Sequence, residues 1–486
     1  MQIIEFKEQE HFTFWHLKNM FRNTGMLNED KLRDILKRLE LSHCLKHHIP
    51  VQDIPDDIEV DMFSETNNEY YKFTFVGIII VKSFAFLVYP KYWKETKKEV
   101  GKVDKFTQIL AVIDKYNRSN KASGTGADII YGENRLSNLI HLLQDYLSSG
   151  LYSNEEALIE INGEGQILWE RTIDESNPYM NNGVPVYLDM HTQINILDES
   201  DTIRRLHAAI ITEVGNEIDA LLDYINLGFD FNLTDERVSD FGTNDYLLYL
   251  LDRELSRQFI TKKQTMLANM KHYIEESDRN SDDSVQLYGT NNFNLVWEKV
   301  CAEVYRNSLD MDMNSLGLHK VFSDEKLETN NHLWEKLKLS NYVEKPLWIH
   351  AGKKTEAQGT LVLDVLEVDA ETKVFKIFDA KYYQINFKEN VDGRLVVSGQ
   401  PGVGDITKQY LYQLAYKELA EENGYKFSNG FVIPKDDLIE EELVDGLGQG
   451  QLLGKAKMQI LSNLGLVDIT LIGRDCYTIF EQYLRV

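Results

Sequence analysis

The chain has 486 residues, of which 43% are hydrophobic and 11% aromatic, so it can form several packed domains and is not a disordered chain. Its three cysteines lie far apart, which excludes a disulfide framework and a paired-cysteine zinc site and indicates a reducing cytoplasm. A formal net charge of −26 argues against a surface that is basic overall. The first residues, MQIIEFKEQEHF, lack the basic and then apolar pattern of a signal peptide.

Helix and strand signals open the chain. Asn28 is a predicted N-cap of a helix, because apolar residues recur behind it at helical spacing, namely Leu32, Ile35, Leu36 and Leu39. Residues 73–89 form the most apolar stretch, but Lys82 at its centre would cost roughly 2.5–3.5 kcal/mol in a membrane. We therefore interpret this stretch as two adjoining strands and expect no membrane as partner.

Positive charge is concentrated near the N-terminus. Residues 1–121 carry 19 Lys and Arg against 18 Asp and Glu, a net charge of +1, which leaves −27 for residues 122–486. Residues 91–121 alone have nine basic and four acidic residues. Helices followed by a strand pair and a basic patch predict a winged-helix-like DNA-recognition module over residues 1–122. A small α+β module with a solvated basic face is the alternative.

The central region, residues 128–280, is predicted to be mixed and largely helical. Asn162-Gly163 is a favoured hairpin turn, so residues 156–173 are predicted to form a strand pair. One long helix is predicted over residues 203–225. A second begins near Thr243 and places apolar residues four apart, at Leu247, Leu251, Leu255 and Phe259. Such faces either pack in a core or dock a partner.

The polar run at residues 275–284 predicts a domain boundary, and residues 287–486 form the predicted C-terminal domain. A helix with apolar residues from Phe293 to Val304 comes first. Strands at 360–368 and 374–383, a helix at 407–421 and a strand at 429–434 follow. Helix, antiparallel strands, helix and strand is the order of an α/β core.

The two adjacent strands carry the residues best suited to chemistry. Asp364 interrupts an apolar stretch, where a carboxylate is costly unless it is paired or bound to metal. Asp379 and Lys381 follow fifteen and seventeen residues later on one face of the next strand. Carboxylates that hold a divalent metal and a cation that stabilises negative charge are what phosphodiester hydrolysis requires. An inter-strand salt bridge is the alternative, and Asp369 in the predicted turn is the rival first acid.

Three further residues are candidates for the same site. Gln409 and Gln413 lie one turn apart on the following helix, where their amides can position the lysine, a water or a phosphate. Glu298, beside Trp297 on the preceding helix, is a candidate additional metal acid. The alternatives are a solvated helix face for the glutamines and a surface position for Glu298.

Several segments together resemble a known family. Asp364…Asp379-Ala380-Lys381 resembles the PD-(D/E)xK nuclease motif, with Leu363 in place of the motif's proline. The segment DITKQYLYQLAY resembles the helix that follows this motif in McrC-type and LlaJI-type restriction subunits. Similarity to the LlaJI family extends over further segments, namely YKFTFVGIII, VYPKY, GEGQILWERTI and FNLVWEKV.

This resemblance implies an endonuclease subunit of a restriction system. It implies a multidomain α+β protein with a C-terminal PD-(D/E)xK core that cleaves double-stranded DNA and a central region that docks a McrB-like AAA+ GTPase. Asp364 and Asp379 would hold Mg²⁺, with Mn²⁺ as a substitute. Lys381 would stabilise the attacking hydroxide, and Gln409 and Gln413 would support the site.

Other functions fit the sequence less well. A non-catalytic DNA-binding adaptor that activates a GTPase is the main alternative, and a repair or recombination nuclease is a third. The segment GQGQLLGKA has the wrong spacing for a phosphate-binding loop and Ala456 where Ser or Thr should stand. The cluster of His43, Cys44, His47 and His48 lacks a second cluster and is a weak zinc candidate.

Overall fold

The computed structural model describes residues 1–23, 28–48, 69–94, 101–123, 135–153, 155–197, 201–225, 227–277, 285–319, 336–390, 392–436, 442–444 and 447–485. The chain divides into two compact units. The first consists of residues 1–132 and 288–486, and the second of residues 133–287. The predicted roles of residues 1–122, 128–280 and 287–486 stay predictions.

The N-terminal part of the first unit contains two small sheets and three helices. Its strands are β1 (Gln2–Lys7), β2 (His11–Phe12), β3 (Leu45–His48), β4 (Tyr70–Phe73), β5 (Val76–Val81) and β6 (Phe84–Tyr89). Its helices are α1 (Phe14–Asn23), α2 (Glu29–Leu41) and α3 (Lys102–Ser123). One sheet has the order β2-β4-β3, and the other has the order β1-β6-β5-β12, where β12 is Val285–Thr290.

Two local predictions for this part are confirmed. Strands β5 and β6 pair antiparallel, with Ile78 opposite Leu87, and Lys82 lies in the turn between them. Helix α2 begins after Asn28, whose side chain accepts a hydrogen bond of 2.9 Å from the Asp30 amide. Among the described residues, no helix is long and apolar enough to cross a membrane.

The close approach of β5 and β12 depends on glycine. Gly77 has a φ of +133°, and a Cβ at this position would lie 2.2 Å from the Tyr288 carbonyl oxygen. A side chain here would therefore push the two backbones apart, and its φ would also be strained.

The second unit combines helices with small sheets. Its helices are α4 (Arg135–Ser149), α5 (Trp169–Glu175), α6 (Thr202–Glu217), α7 (Asp219–Leu222), α8 (Asn244–Leu255) and α9 (Thr261–Ser277). Its strands are β7 (Glu155–Ile161), β8 (Gln166–Ile167), β9 (Tyr179–Asn181), β10 (Val184–Val186) and β11 (His191–Leu197). Buried leucines and isoleucines of α4 and α6 form much of its core.

The hairpin predicted at Asn162-Gly163 is wrong. Strands β7 and β8 both pair with β11, in the order β7-β11-β8, and residues from Trp169 onward form α5. The Asn162 amide donates to the Met190 carbonyl, and its side chain accepts from the Met190 amide. A strand from later in the chain thus takes the pairing that the turn predicted locally.

The two long helices are present but shorter than predicted. The first ends at Glu217 and is followed by the short helix α7 and a 3₁₀ turn, Asp223–Ile225. The second begins after Thr243, as predicted, but ends at Leu255. Phe259 lies beyond it and is 90% exposed, so its assignment to the apolar face was wrong.

The C-terminal part of the first unit is built on a six-stranded mixed sheet with the order β15-β16-β19-β22-β21-β20. These strands are β15 (Val365–Asp369), β16 (Val374–Ala380), β19 (Lys426–Lys435), β20 (Glu442–Val444), β21 (Gly448–Ala456) and β22 (Ile469–Asp475). Helices accompany it, namely α10 (Phe293–Val304), α11 (Val403–Glu422), α12 (Gln459–Ser462) and α13 (Cys476–Arg485). The remaining strands form two separate hairpins, β13 (Leu347–His350) with β14 (Lys353–Glu356) and β17 (Asn386–Glu389) with β18 (Leu395–Ser398).

The predicted order of helix, strand pair, helix and strand is confirmed in this part. Strands β15 and β16 are antiparallel, and β16, β19 and β22 run parallel. The protein is therefore a mixed α/β multidomain molecule with several sheets. One boundary differs from the prediction, because Asp364 lies in a bend immediately before β15 rather than inside a strand.

Candidate functional site

The register of the β15–β16 hairpin places the two candidate acids side by side. Val365 pairs with Phe378, so the next residues outward are Asp364 and Asp379. The Asp364 carboxyl accepts a hydrogen bond of 2.9 Å from the Ala380 amide and is also hydrogen-bonded to the Asp379 carboxyl. The Asp379 residue is only 4% exposed. Both acids thus meet at the open end of the hairpin, where Asp379 is buried and Asp364 is half-buried.

Neighbouring backbone and side-chain contacts hold Asp364 in its bend. The Asn307 amide group donates 3.1 Å to the Asp364 carbonyl, and its oxygen accepts 3.0 Å from the Leu366 amide. The Tyr412 hydroxyl donates to the Val362 carbonyl. These contacts span the bend from both sides, so the position of the carboxylate does not depend on β15 alone.

The electrostatics of the two acids are those of a crowded pair. Burial, and then the negative charge of Asp379, raises the pKa of Asp364 well above its ordinary value. Burial likewise raises the pKa of Glu298, and the nearby charge of Asp379 adds to this effect. Two carboxyls that share a dry site cannot both ionise cheaply, and a cation between them removes this cost.

Lys381 lies on the same strand extension and contacts two acids. Its Nζ is 2.9 Å from Asp379 Oδ2 and 2.9 Å from Asp405 Oδ1. Although burial alone would lower the pKa of Lys381, the bonds to Asp379 and Asp405 raise it. The lysine therefore stays charged, and its ammonium group is fixed from two directions.

Asp405 is a site residue that the sequence reasoning missed. It lies in the first turn of α11, accepts 3.2 Å from the Gly402 amide and accepts 3.3 Å from the Tyr383 hydroxyl. An acid in the first turn of a helix is a normal capping signal. That signal identifies the start of α11, but only the packing of α11 beside β16 reveals the contact with Lys381.

Lys408, one turn further along α11, is another residue of the site that the sequence reasoning missed. It is the second lysine near the acids. Its hydrogen bond to Tyr412 raises its pKa, and the charges of Asp379 and Asp364 add to this. Its ammonium lies 5.4 Å from the centre of the Tyr412 ring. The site thus contains two lysines from different elements, which suits the binding of an anionic substrate.

Glu298 is near the acids, as its charge coupling to Asp379 shows. The position of α10 follows from Trp297, whose indole donates 3.1 Å to the buried Val432 carbonyl. That carbonyl also accepts 2.9 Å from the Lys381 amide. Trp297 therefore docks α10 at the end of the hairpin and turns the next residue, Glu298, toward the site.

Gln409 and Gln413 are both buried, but their hydrogen bonds run in another direction. Gln409 donates 2.7 Å to the Asn429 side chain, and Gln413 accepts 3.3 Å from Asn429 and 3.2 Å from the Val467 amide. In the part of the chain that the structure describes, these bonds tie α11 to β19 and to the loop before β22. Their role in positioning the lysine, a water or a phosphate stays a prediction.

The donor set fits a hard divalent cation. Mg²⁺ usually takes one or two protein carboxylates and completes its shell with water and phosphate oxygens. Asp364 and Asp379 provide such a pair, and their mutual repulsion is relieved by a proton or by a bound cation. Over the described ranges, no group of three or more His, Cys, Asp or Glu side chains forms a metal cage. The pair therefore suits Mg²⁺ with an open coordination sphere rather than a closed structural site.

The rival candidates take other roles. Asp369 caps the turn and lies 2.9 Å from Lys376 at the far end of the hairpin. Residues 448–456 form strand β21, so they are not a phosphate-binding loop. His47 and His48 stack on Tyr71 and Tyr70, and Cys44 is buried. The sequence contains another acid-x-Lys match, Asp324-Glu325-Lys326, which has no strand pattern around it and lies outside the described residues.

Comparison with known proteins identifies relatives of this chain. It is 27% identical over 377 residues to the type II restriction enzyme BsuMI component YdjA of Bacillus subtilis (strain 168), which covers 75% of this chain and 73% of the relative. Two solved structures match distantly at 13% identity. A half-complex of Thermococcus gammatolerans McrB AAA+ hexamers with bound McrC has a TM-score of 0.37 and covers 100% of this chain and 99% of the matched chain. The cryo-EM structure of the Thermococcus gammatolerans McrBC complex has a TM-score of 0.22 and covers 56% and 80%.

TM-scores this low carry no argument about the fold, so the assignment rests on sequence. The family model of the LlaJI restriction endonuclease matches residues 75–330 and 320–453, which is well over half of the chain. The resemblance to the LlaJI family is thereby confirmed, and this chain belongs to the LlaJI restriction endonuclease family.

Proposed function

We propose that this chain is the Mg²⁺-dependent endonuclease subunit of a restriction system and hydrolyses phosphodiesters of double-stranded DNA in the cytoplasm. The observation that carries the proposal is the open end of the β15–β16 hairpin. A buried and a half-buried carboxyl group face one another there, beside a lysine that two acids hold in place. This arrangement supports the proposed PD-(D/E)xK nuclease core.

Each residue has a defined task in the proposed reaction. Asp364 and Asp379 would hold Mg²⁺, or Mn²⁺ in its place, and Glu298 would serve as an additional acid. When bound, the metal supplies Lewis-acid activation of water and of the scissile phosphate. Lys381 stabilises the hydroxide and the negative charge that develops on the phosphate. Asp405, together with Asp379, holds the ammonium of Lys381 in place.

The proposal includes two partners. DNA would be bound first by the N-terminal module, because residues 1–121 have a net charge of +1 in a chain of −26 and non-specific affinity comes from phosphate contacts. A McrB-like AAA+ GTPase would dock on the central region, residues 128–280.

The test is restriction of phage or plasmid DNA in cells that carry this gene with its genomic neighbours. Asp379→Ala should abolish restriction while the protein accumulates normally. Asp369→Ala is the matched control, since it removes an acid from the other end of the same hairpin. Unchanged restriction with Asp379→Ala would instead make the chain a non-catalytic DNA-binding adaptor that activates the GTPase.

A further inference from the structure

We infer that the hairpin of β13 and β14 is a DNA-binding element that holds the duplex beside the nuclease site. The inference rests on the proposed function and deepens it, because it names a surface that receives the substrate. The hairpin is narrow, since its two strands are joined by a two-residue turn at Ala351 and Gly352, both with positive φ. The major groove of DNA admits a two-stranded ribbon of this kind.

The hairpin is exposed on both faces. Every residue from Glu344 to Glu356 is exposed. Leu347, Trp348 and Ile349 are 56%, 69% and 65% exposed. Because successive side chains of a strand point to opposite faces, each face of the hairpin presents apolar groups to solvent. An isolated hairpin is at best marginally stable in water, and exposed apolar groups in a row indicate an interaction surface.

The charge of the hairpin is complementary to nucleic acid. No acid lies between Glu344 and Glu356 in the sequence. The lysines in this segment are Lys345, Lys353 and Lys354, in a chain whose net charge is −26. Within the described residues, none of these lysine side chains forms an ion pair or a hydrogen bond. Such ammonium groups beside apolar side chains match a duplex, whose phosphates are anionic and whose base steps accept apolar wedges.

Short connections keep the hairpin next to the bend that contains Asp364. The Ala357 amide donates 2.7 Å to the Pro346 carbonyl, and the Thr360 hydroxyl donates 2.8 Å to the Glu344 carbonyl, so the base of the hairpin is closed. Thr360 precedes Asp364 by four residues, which span at most about 14 Å. Phosphates of one DNA strand are about 3.4 Å apart along the helix axis, so the base of the hairpin lies within about four nucleotides of a phosphate at Asp364.

The first measurement is the affinity of the full chain for a fluorescently labelled duplex of about 40 base pairs, by anisotropy in EDTA at several salt concentrations. Lys353→Gln combined with Lys354→Gln should weaken binding at least about fivefold at about 0.1 M salt. It should also make the slope of log affinity against log salt concentration shallower by about 1.8, because each lost phosphate contact contributes roughly 0.9.

The matched control removes two exposed lysines from the other end of the β15–β16 hairpin. Lys373 lies at its turn, and Lys426 pairs with Val374 at the start of β16. Lys373→Gln combined with Lys426→Gln should leave the affinity within about twofold of the wild-type value. Equal melting temperatures of both double variants and the wild-type protein verify folding. Equal losses of affinity in the two double variants, or an unchanged salt slope in the β13–β14 variant, would overturn the inference.

A photo-cross-linker then identifies what covers the hairpin. With p-benzoylphenylalanine in place of Trp348, a mixture of the full chain, the duplex and the proposed GTPase partner should give adducts with DNA. Adducts with the GTPase or with a second copy of this chain, and none with DNA, would overturn the inference. DNA adducts together with unimpaired restriction by Asp379→Ala would contradict the nuclease proposal and leave this inference standing.

Discussion

The β15–β16 hairpin carries an acid–lysine cluster at each end, and the two clusters differ in kind. At the turn, Lys376 Nζ lies 2.9 Å from Glu367 and 2.9 Å from Asp369. At the open end, Lys381 Nζ lies 2.9 Å from Asp379 and from Asp405. By distance alone, the two lysines cannot be told apart.

The acids at the two ends respond to their surroundings in opposite directions. The hydrogen bond from Lys376 lowers the pKa of Asp369, so that carboxylate is stabilised by the partners it already has. Burial and the charge of Asp379 raise the pKa of Asp364. The turn end is therefore a satisfied cluster in which both acids contact the lysine, whereas at the open end Asp364 is crowded by a second carboxyl group. The crowding of two carboxyl groups, rather than the presence of a lysine, distinguishes the candidate site.

The largest expected effect comes from replacing one of the two lysines, Lys381 or Lys376, by methionine. Lys381→Met should lower the rate of DNA cleavage by about a hundred- to a thousandfold, because one charge-stabilising group is removed from the reacting phosphate. Lys376→Met should leave cleavage within a few-fold of the wild-type rate. Cleavage assays of the two purified variants with the proposed GTPase partner check this difference. Equal losses of cleavage rate in both variants would mean that the two ends of the hairpin do not differ in function.

His207, in the second unit, shows the effect of burial on a pKa without the effect of a paired acid. His207 accepts 2.9 Å from the Tyr152 amide, and burial lowers its pKa to about 4. Since the unfolded chain takes up this proton near pH 6.5, the free energy of unfolding should fall as pH drops from 6.5 to 4, by about 3 kcal/mol. Urea unfolding at several pH values measures the fall.

His207→Gln is the control for this titration, because glutamine keeps an acceptor but does not titrate. Between pH 6.5 and 4, the free energy of unfolding of the variant should fall by about 3 kcal/mol less than that of the wild-type protein. Identical pH profiles for the two proteins would mean that His207 is not a buried neutral imidazole.

Metal binding should stabilise the open end and not the turn. At a Mg²⁺ concentration one hundred times its dissociation constant, the free energy of unfolding should rise by about 2.7 kcal/mol. Asp364→Asn should abolish this gain, while Asp369→Asn should keep it. Thermal unfolding with and without Mg²⁺, with EDTA as the reference, provides the measurement. A gain that survives Asp364→Asn would place the cation elsewhere.

The smallest expected effect concerns the second acid of Lys381. Asp405→Asn should slow cleavage about tenfold, because the ammonium loses one of its two charged contacts but keeps Asp379. Asp405→Glu should restore part of the rate if the role is to position Lys381. A loss that the glutamate variant does not rescue, accompanied by a lower melting temperature, would indicate a structural role in capping α11.

Prediction from sequence succeeded where the deciding interactions are local. The Asn28 cap and the β5–β6 hairpin follow from residues within one turn or one strand of each other. The β15–β16 hairpin was predicted for the same reason, and with it the meeting of Asp364 and Asp379. Prediction failed at Asn162, where β11 pairs with β7 and β8 although a favoured turn lies between them. Turn propensity depends only on the residues of the turn, so it cannot predict pairing with a strand about thirty residues away.

By itself, the sequence determined the family of this protein, the acids of the hairpin and the lysine beside them, because these depend on residue type and on the two-residue repeat of a strand. Tertiary structure alone decided which groups surround them. It brought Asp405 and Lys408 from α11 to the acids, placed Glu298 by docking Trp297 and joined Glu8 to Tyr382. These contacts link residues far apart in the chain, and burial of the contacting residues strengthens them. Local sequence patterns predict neither the contacts nor the burial.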